Sequence, residues 1–219
     1  MEKYALMMND KIDVIINHGN DEEVHTLYRI RALKQFGDVR KGELGGYIEH
    51  ESNLSQTGFS WVYDNSMVLE NAQVGEHAKL RDNSMVYGNA VISGTAVISY
   101  NSRVFDNAHV YGLAHVMNDA TVFGNANVSD ETGIIDNAMV FGDASIHGHA
   151  CIMDGAAVFG YSDISGNAVI SSNSRVVDKF ITGDARISST PEIYIKMKFE
   201  WSYRYFGGNL KYASNARII

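Results

Sequence analysis

Aliphatic residues recur at every sixth position of this chain, and this period constrains the fold more than any other feature. From Val62 to Val176, twenty consecutive positions six residues apart are Val, Ile or Leu. The residue two before each of them is small, from Ser60 to Ser174, with Thr132 the largest. Neither the helical period nor two-residue alternation keeps two such columns in phase. The sequence therefore contains an internal repeat, and the repeat decides the fold.

Each six-residue unit reads approximately as x-V-x-G/D-N-A/S. The aliphatic residue is predicted to point inward on a short strand, with its two neighbours pointing outward. The Gly-Asn or Asp-Asn pair that follows is expected to turn the chain, because Asn and Gly tolerate a left-handed backbone conformation at a corner. The small residue then faces inward where two walls converge. Three units close a triangular coil of 18 residues, so residues i and i+18 lie above one another.

The pattern from Val62 to Val176 resembles that of the hexapeptide-repeat left-handed β-helix proteins. This resemblance implies an all-β fold, a single-stranded left-handed parallel β-helix. The handedness comes from the resemblance, since right-handed crossovers are the general rule and this family is an exception to it.

Two irregularities in the repeat set the extent of the predicted β-helix. A two-residue slip at QTGFS separates Ile48 and Leu54 from the regular repeat, and a one-residue slip at VDKF precedes Ile181 and Ile187. The prism is expected to hold about eight coils and to stand about 38 Å tall. Pro191 cannot donate a hydrogen bond to a strand ladder, so it is expected to mark the end of the stack.

Both ends of a β-helix expose unpaired strand edges, so we expect a cap at each end. Residues 1–43 are predicted to form an N-terminal β cap, in which YALMMNDKIDVII gives two strands around an Asn-Asp turn and EVHTLYRIRAL a third. The β-helix is expected to occupy residues 44–190. Residues 191–219 are predicted to form a β-hairpin, turning at GGN, that either caps the prism or reaches another protomer.

The segment LYRIRALKQFGDVRKGELGGYIEHESNLSQTGFSWV, about residues 27 to 62, resembles the leading segment of YdcK-like hexapeptide-repeat proteins. This second resemblance implies a bacterial, phage or prophage origin. Some members of that family carry a transferase label taken from the fold alone, so the resemblance implies no mechanism.

Outward residues 18 apart form an aromatic column on one face of the predicted prism. We call this column the aromatic ladder, and its members are Tyr87, Phe105, Phe123, Phe141 and Phe159. A continuous apolar patch of this kind is rarely left exposed on a soluble monomer. We expect it to be covered by a neighbouring protomer, giving a homotrimer, or by the C-terminal hairpin, whose apolar face includes Trp201. Of the other two faces, one is polar and one is mixed, with Met117, Ile135 and Met153.

Asparagines also recur at the 18-residue spacing, in two columns at the predicted corners. The first column contains Asn65, Asn83, Asn101 and Asn137, and the second contains Asn71, Asn89, Asn107 and Asn125. A ligand-binding edge would be a functional interpretation of these columns. Hydrogen-bonded ladders of turn side chains are the favoured interpretation, because Asn side chains stack and bond in this way.

Composition narrows the function classes. The net charge of −8 gives no electrostatic footprint for nucleic acid, so no DNA or RNA partner is expected. A single cysteine, Cys151, excludes an internal disulfide and suits a reducing cytoplasm, where we place the protein. No signal peptide or apolar run long enough to span a membrane is apparent, so no membrane association is expected.

The best-known enzymes of this fold are acyltransferases that use acetyl-CoA or acyl carrier protein, with a His as general base in a cleft between protomers. The candidate bases here are His109, His115, His147 and His149. His115 is the best candidate, because its face carries apolar neighbours that could line a cleft. No repeat unit between Val62 and Val176 carries an insertion from which a pocket could be built.

A metal site is not expected. The γ-type carbonic anhydrases share this fold and bind zinc through an H-x4-H pair and a third His, and no pair here has that spacing. His147 and His149 are predicted to diverge, one lying on a strand and the other at a corner. No cofactor is expected unless the protein is an acyltransferase, which would require acetyl-CoA.

These observations favour a non-enzymatic structural or binding protein, a rigid homotrimeric scaffold that docks a host protein, a phage protein or a small ligand, the last in a counter-defence role. The alternative is a hexapeptide-repeat acyltransferase with its site between protomers. The sequence assigns no catalytic residue beyond the candidate His115 and does not identify the partner.

Overall fold

The computed structural model describes residues 2–18, 21–188, 205–206 and 209–210. It confirms the all-β prediction, because these residues form strands, turns and a 3-10 helix at Glu51–Asn53. Parallel strands stack on three faces to form a β-helix, with an antiparallel hairpin added at its N-terminal end. No helix among these residues has the length and apolarity that crossing a bilayer requires.

The three faces are named for their outward side chains. The aromatic face contains β3 (Leu44–Ile48), β5 (Met67–Val68), β8 (Met85–Val86), β11 (Arg103–Val104), β14 (Thr121–Val122), β17 (Met139–Val140), β20 (Ala157–Phe159) and β23 (Arg175–Val177). The mixed face contains β4 (Trp61–Val62), β7 (Lys79–Leu80), β10 (Val97–Ile98), β13 (His115–Val116), β16 (Gly133–Ile134), β19 (Cys151–Ile152), β22 (Val169–Ile170) and β25 (Arg186–Ile187). The polar face contains β6 (Gln73–Val74), β9 (Val91–Ile92), β12 (His109–Val110), β15 (Asn127–Val128), β18 (Ser145–Ile146), β21 (Asp163–Ile164) and β24 (Phe180–Ile181).

The repeat residues form the core in the predicted way. Every aliphatic position from Val62 to Ile170 is almost fully buried, and the small residues two positions earlier are buried beside them. Strands pair in parallel with an 18-residue offset, as in Ile98↔Val116. Buried hydroxyls are satisfied locally, since Thr132 Oγ1 donates to Ser129 O at 2.9 Å.

The corners use a left-handed backbone residue, and its identity differs in part from the prediction. The second residue after each aliphatic position, from Asp64 to Gly183, has a φ between +52° and +73°. Gly occupies many of these positions, as predicted. Most of the others hold Asp or Glu, and Asn118 is also among them, with a φ of +64°. Most of the remaining Asn residues of the repeat stand one position later and do not have a positive φ. Acidic residues therefore take many of the strained positions that the sequence analysis gave to Gly and Asn.

A hydrogen bond explains the acidic residues at the corners. The carboxylate of a corner residue accepts the backbone N–H of the corner residue one coil later: Glu76 Oε2 accepts from Gly94 N at 2.7 Å, and Asp130 Oδ2 accepts from Gly148 N at 2.9 Å. A peptide N–H turned away from the strand ladder otherwise lacks a protein partner. Part of the negative charge of the chain therefore has a structural role at the corners.

Both slips lie where the sequence places them. Across QTGFS, the pair Ile48↔Val68 is offset by 20 residues instead of 18. Across VDKF, the pair Ile164↔Ile181 is offset by 17. A parallel bridge between Leu54 and Val74 continues the polar face before its first named strand.

The N-terminal segment differs from the prediction. YALMMNDKIDVII lies within one strand, β1 (Tyr4–His18), which pairs antiparallel with β2 (Asp21–Ala32). The predicted Asn-Asp turn is wrong, because the register shift between Met7 and Lys11 is a bulge and the strand continues through it. Asp10 Oδ2 lies 3.0 Å from Arg29 Nε of β2, so the Asp side chain pairs across the hairpin.

Large side chains close the N-terminal end of the core. Tyr4 and Phe36 make edge contacts with the Trp61 ring, at centroid distances of 6.1 and 5.4 Å. Lys3 is 1% exposed, and its Nζ donates to Ser60 O at 2.9 Å. Burial, with the neighbouring Lys34 charge, lowers the pKa of Lys3 to about 8.

At the C-terminal end, β26 (Tyr205–Phe206) pairs antiparallel with β27 (Asn209–Leu210), which agrees with a hairpin turning at GGN. Pro191 and the rest of the predicted hairpin strands lie outside the described residues.

Candidate functional site

The five rings of the aromatic ladder stack as the 18-residue offset predicts. Successive ring centroids are 4.7 to 5.0 Å apart, and the ring planes are within 8° of parallel. The repeat spacing of β-strands sets this distance, because each ring projects from the same position of consecutive rungs. The ladder is therefore a continuous column from Tyr87 to Phe159.

The three central rings of the ladder are buried within a single chain, and the two end rings, Tyr87 and Phe159, are half-buried. Phe105, Phe123 and Phe141 are 6%, 4% and 8% exposed, whereas Tyr111 at the equivalent position of the polar face is 43% exposed. Trp201, the other residue assigned to a partner face, lies outside the described residues. A homotrimer built on this face stays a prediction.

The N-terminal hairpin covers the end of the ladder at which Tyr87 lies. Ile16 and Leu27 of the hairpin form a buried cluster with Tyr47 and Leu69 of the aromatic face, and Tyr87 packs against this cluster. The sequence analysis treated the hairpin only as an end cap. Its role as a side cover could not be found by stacking residues 18 apart, because the hairpin lies outside the repeat.

The predicted histidines do not converge on one site. His115 is exposed on the mixed face, between Val97 and Gly133 of the neighbouring rungs. His109 is exposed on the polar face. No described acidic side chain is paired with the His115 imidazole, so none orients it as the carboxylate of a catalytic dyad would.

The other two predicted histidines have acidic partners. His147 Nε2 lies 2.9 Å from Asp163 Oδ1, and His149 Nδ1 lies 3.2 Å from Glu131 Oε2. The two imidazoles therefore pair with different carboxylates in different directions. Among the described ranges, no group of three or more His, Cys, Asp or Glu residues has a geometry that could hold a metal ion.

A histidine that sequence reasoning missed fastens the hairpin to the prism. His25 Nδ1 lies 2.9 Å from Glu49 Oε1, and its buried Nε2 lies 3.6 Å from Glu70 Oε1. Burial acts to raise the pKa of Glu49, but hydrogen bonds from His25 and the Glu70 amide hold it below its usual value. No sequence signal could find this cluster, since it joins the hairpin to a corner of the prism.

A second cluster joins the N-terminal loop to the mixed face. Asp38 accepts hydrogen bonds from Tyr63 Oη at 2.8 Å and from Lys79 Nζ at 2.8 Å. Partial burial alone would raise the pKa of Asp38. The hydrogen bonds outweigh this effect and lower the pKa to about 2. Arg81 lies over the Tyr63 ring at 4.1 Å. Each polar or charged group of this cluster has a partner within it, so the cluster holds the loop against the mixed face.

Cys151 has no features of a nucleophile. Burial, with the charges of Asp136 and Asp154, raises the pKa of its thiol. A reactive cysteine needs its thiolate stabilised, and these surroundings favour the neutral thiol.

The asparagine columns form hydrogen-bonded ladders, as the favoured interpretation predicts. In the second column, Asn89 Nδ2 donates to Asn107 Oδ1 at 2.9 Å and Asn107 Nδ2 donates to Asn125 Oδ1 at 3.0 Å. The column ends on an acceptor, because Asn125 Nδ2 donates to Asp143 Oδ1 at 2.9 Å. These side chains serve the corners.

A cleft lies where the repeat slips, and sequence reasoning missed it. This slip cleft has a volume of about 640 Å³ and lies between the loop after the 3-10 helix and the first two rungs of the polar face. Its lining includes Ser52, Ser55, Thr57, Gly58, Gln73, Gly75, Glu76, His77 and Ser93.

The loop that bounds the slip cleft is held close to the first rung. Phe59 N donates to Glu76 O at 2.7 Å. A Cβ added to Gly58, whose φ is +68°, would lie 2.3 Å from that same carbonyl oxygen, so only Gly permits this approach. The Phe59 ring packs on the His77 ring at a centroid distance of 5.1 Å. His77 follows Phe59 by 18 residues, so stacking extended one unit before Val62 could have found this pair.

Comparison with known proteins gives one partial similarity. No protein-family model matches the chain. The chain is 34% identical over 68 residues to a protein of Escherichia coli (strain K12) described as "Uncharacterized acetyltransferase YdcK". The matched region is 31% of this chain and 21% of that protein, so the chain spans about a fifth of its length. The similarity and the stacked parallel coils fit a hexapeptide-repeat left-handed β-helix protein, which confirms the resemblance found in the sequence.

Proposed function

We propose that this protein is a non-enzymatic docking scaffold, a rigid prism that assembles as a homotrimer and presents its faces to a partner protein or ligand. The observation that supports this proposal is the unbroken repeat. From Trp61 to Val177 every rung pairs with the next at the same 18-residue offset, and no loop projects between rungs. Such surfaces suit docking, because their side chains are held by the stack and lose little freedom on binding.

The copies are proposed to meet through the mixed face. The three central ladder rings are already buried within one chain, so they offer little apolar area to a second copy. The mixed face carries partly exposed Met117, Ile135 and Met153 in one column, beside Val97 and Val169. Burial of this apolar strip by a second copy would remove apolar area from water.

Light scattering on the full chain tests the assembly. We expect a trimer mass for the wild type and a monomer mass for Ile135→Asp, because a charge in the centre of an apolar contact is left unpaired. Tyr111→Asp, on the polar face, is the matched control and should keep the trimer mass. A wild-type monomer, or an unchanged mass for Ile135→Asp, contradicts assembly through this face.

Capture experiments test the docking role. The immobilised full chain is incubated with bacterial lysate, and the bound proteins are identified by mass spectrometry. A partner that binds the wild type and a mixed-face variant but not His109→Glu supports docking on the polar face. Failure to retain any protein in a face-dependent manner contradicts the role.

Acyl transfer is the second candidate, favoured by the similarity to a protein named an acetyltransferase. In this case His115 of the mixed face would be the general base, at a cleft between two copies. A ligand that binds the native state raises its melting temperature. Saturating acetyl-CoA should then raise the melting temperature of the wild type. If the temperature does not change, this candidate is excluded and docking is retained.

A further inference from the structure

The central rings of the ladder are more deeply buried than their place in the prism explains. Ile135 holds the equivalent position on the mixed face, between the apolar neighbours Met117 and Met153 of its own column, and it is still partly exposed. Phe123 is larger and is stacked between two rings in the same way, but it is only 4% exposed. Stacking covers the two faces of a ring and leaves its outer edge open. A further group therefore covers the ladder.

The N-terminal hairpin supplies this cover only at one end, where Tyr87 packs against its cluster. Further along, the described residues that form the buried cluster with the rings all belong to the aromatic face itself. One of them, Ala157, is a small outward residue and is nevertheless only 3% exposed. The covering group therefore belongs to a part of the chain outside the described ranges.

Residues 193–201, which we call the alternating segment, have the apolar face that such a cover requires. The odd positions of this segment hold Ile193, Ile195, Met197, Phe199 and Trp201. The even positions hold Tyr194, Lys196, Lys198 and Glu200. An extended chain with this order has one apolar face and one mostly charged face. The remaining residues outside the described ranges contain no second run of this kind.

The course of the chain brings the alternating segment to the right face. The last described rung, β25 (Arg186–Ile187), lies on the mixed face, and the aromatic face follows the mixed face in chain order. Position 193 is six residues after Ile187, so the segment is expected to begin beside β23, beyond Phe159. Nine extended residues span about 26 Å, and the four ladder steps of 4.7–5.0 Å span about 19 Å. The segment is therefore long enough to pass all five rings.

We propose that the alternating segment runs along the ladder of its own chain, from Phe159 towards Tyr87, with its odd-numbered side chains packed on the rings. The charges are complementary, since residues 191–219 carry five Lys or Arg and two Glu in a chain of net charge −8. Together with the N-terminal hairpin, the segment then covers the ladder along its whole length. This inference does not depend on the docking function, because the cover is made within one chain.

Photo-cross-linking of the full chain tests the position and direction of the segment. The photoreactive residue p-benzoylphenylalanine replaces Trp201, Ile195 or Lys198, and the cross-linked peptides are mapped by mass spectrometry. We expect position 201 to join peptides near Tyr87 and position 195 to join peptides near Phe159, in products with the mass of one chain on a denaturing gel. Position 198 is the matched control, because its side chain faces away from the ladder and should not join it.

Four results of this experiment overturn the proposal. They are a reversed order of the two cross-links, cross-links to another face, products with the mass of two chains, and the absence of any cross-link to the ladder.

A second pair of variants tests the contact without the photoreactive residue. Phe199→Asp places a charge against the rings and should release the segment, so that the dye ANS, which binds exposed apolar surface, binds several times more strongly than to the wild type. Lys198→Asp, at the next position and on the opposite side, should bind as little dye as the wild type. Both variants should keep the β-rich circular dichroism spectrum, since neither touches the core. Equal dye binding by the two variants contradicts the contact.

Discussion

At the scale of single residues, the corners show how two chemically different residues meet one geometric requirement. Gly reaches the positive φ without steric cost, and Asp or Glu offsets that cost with a hydrogen bond to the next coil, as Glu76 does to Gly94. Sequence reasoning predicted a left-handed corner correctly and assigned it to Gly and Asn, whereas the structure has Gly, Asp and Glu at most of these positions. The period locates the corner within two residues, and only the backbone tells which of them has the positive φ.

A pair of glycines tests the corner geometry. Gly94 has a φ of +64°, and an added Cβ would lie 2.6 Å from Gly112 N, so Gly94→Ala should reduce the free energy of unfolding by about 1–3 kcal/mol. Gly133 lies on a strand, where an added Cβ would be 3.7 Å from Cys151 Sγ. Gly133→Ala should therefore be neutral or stabilising by up to about 1 kcal/mol. Urea unfolding of both variants measures this; equal losses would contradict the corner argument.

Lys3 gives a pH prediction. Its pKa is lowered from 10.5 to about 8 in the folded state, so between these values the unfolded chain binds more protons. The free energy of unfolding that Lys3 contributes is therefore lowest below pH 8 and rises as the pH increases towards 10.5. Urea unfolding between about pH 7.5 and 9.5 should show this rise in the wild type relative to Lys3→Met, which lacks the titrating group. If the free energies of unfolding of the two proteins change with pH in the same way, Lys3 has the same pKa in the folded and the unfolded chain, and the prediction is wrong.

At the scale of elements, the strands of the prism could be predicted and the N-terminal hairpin could not. A two-residue strand such as His115–Val116 is fixed by its own repeat unit, so its position and inward residue follow from the period. Two conformations of the N-terminal segment compete: a local turn at Asn9–Asp10, and one long strand whose Asp10 pairs with Arg29 of the next strand. Tertiary pairing prevailed over the local turn signal, and the hairpin then covered part of the aromatic face. The His25 cluster follows from that packing and was therefore beyond prediction.

The aromatic ladder is expected to stabilise the chain itself. Phe123 is 4% exposed between two parallel rings, so Phe123→Ala should lower the free energy of unfolding by about 3–5 kcal/mol. Tyr111→Ala, at the same position of another face and 43% exposed, should lower it by less than about 1 kcal/mol. Light scattering should give unchanged masses for both. A mass that falls for Phe123→Ala would place the ladder at a contact between chains.

At the scale of the whole molecule, the repeat makes the prism modular in steps of 18 residues and not in steps of six. Removing residues 111–128 deletes one coil and leaves every outward column in its own face. Removing residues 111–116 keeps an aliphatic and a small residue at each inward position but rotates the lower coils by one face. The ladder is then broken between Phe105 and Phe123.

These two deletions separate the core from the surface columns. Both proteins should retain a β-rich circular dichroism spectrum, since the inward residues are matched in each. The six-residue deletion should be less stable than the 18-residue deletion by about 4–8 kcal/mol, because it exposes rings of the lower ladder. Equal unfolding midpoints would show that the outward columns contribute nothing beyond the core.

Because both acidic residues and Gly occupy the corner positions, the genetic code affects how these positions can change. Codons for Asp and Glu differ from Gly codons by a single base, the second, so one nucleotide change converts one corner solution into the other. Glu70, at one corner, stands one coil before Gly88, which shows the two in the same column. A lineage can therefore alter its surface charge coil by coil, through single mutations that never pass through a residue unsuited to the bend. The scaffold can thus drift in charge while its shape is inherited unchanged.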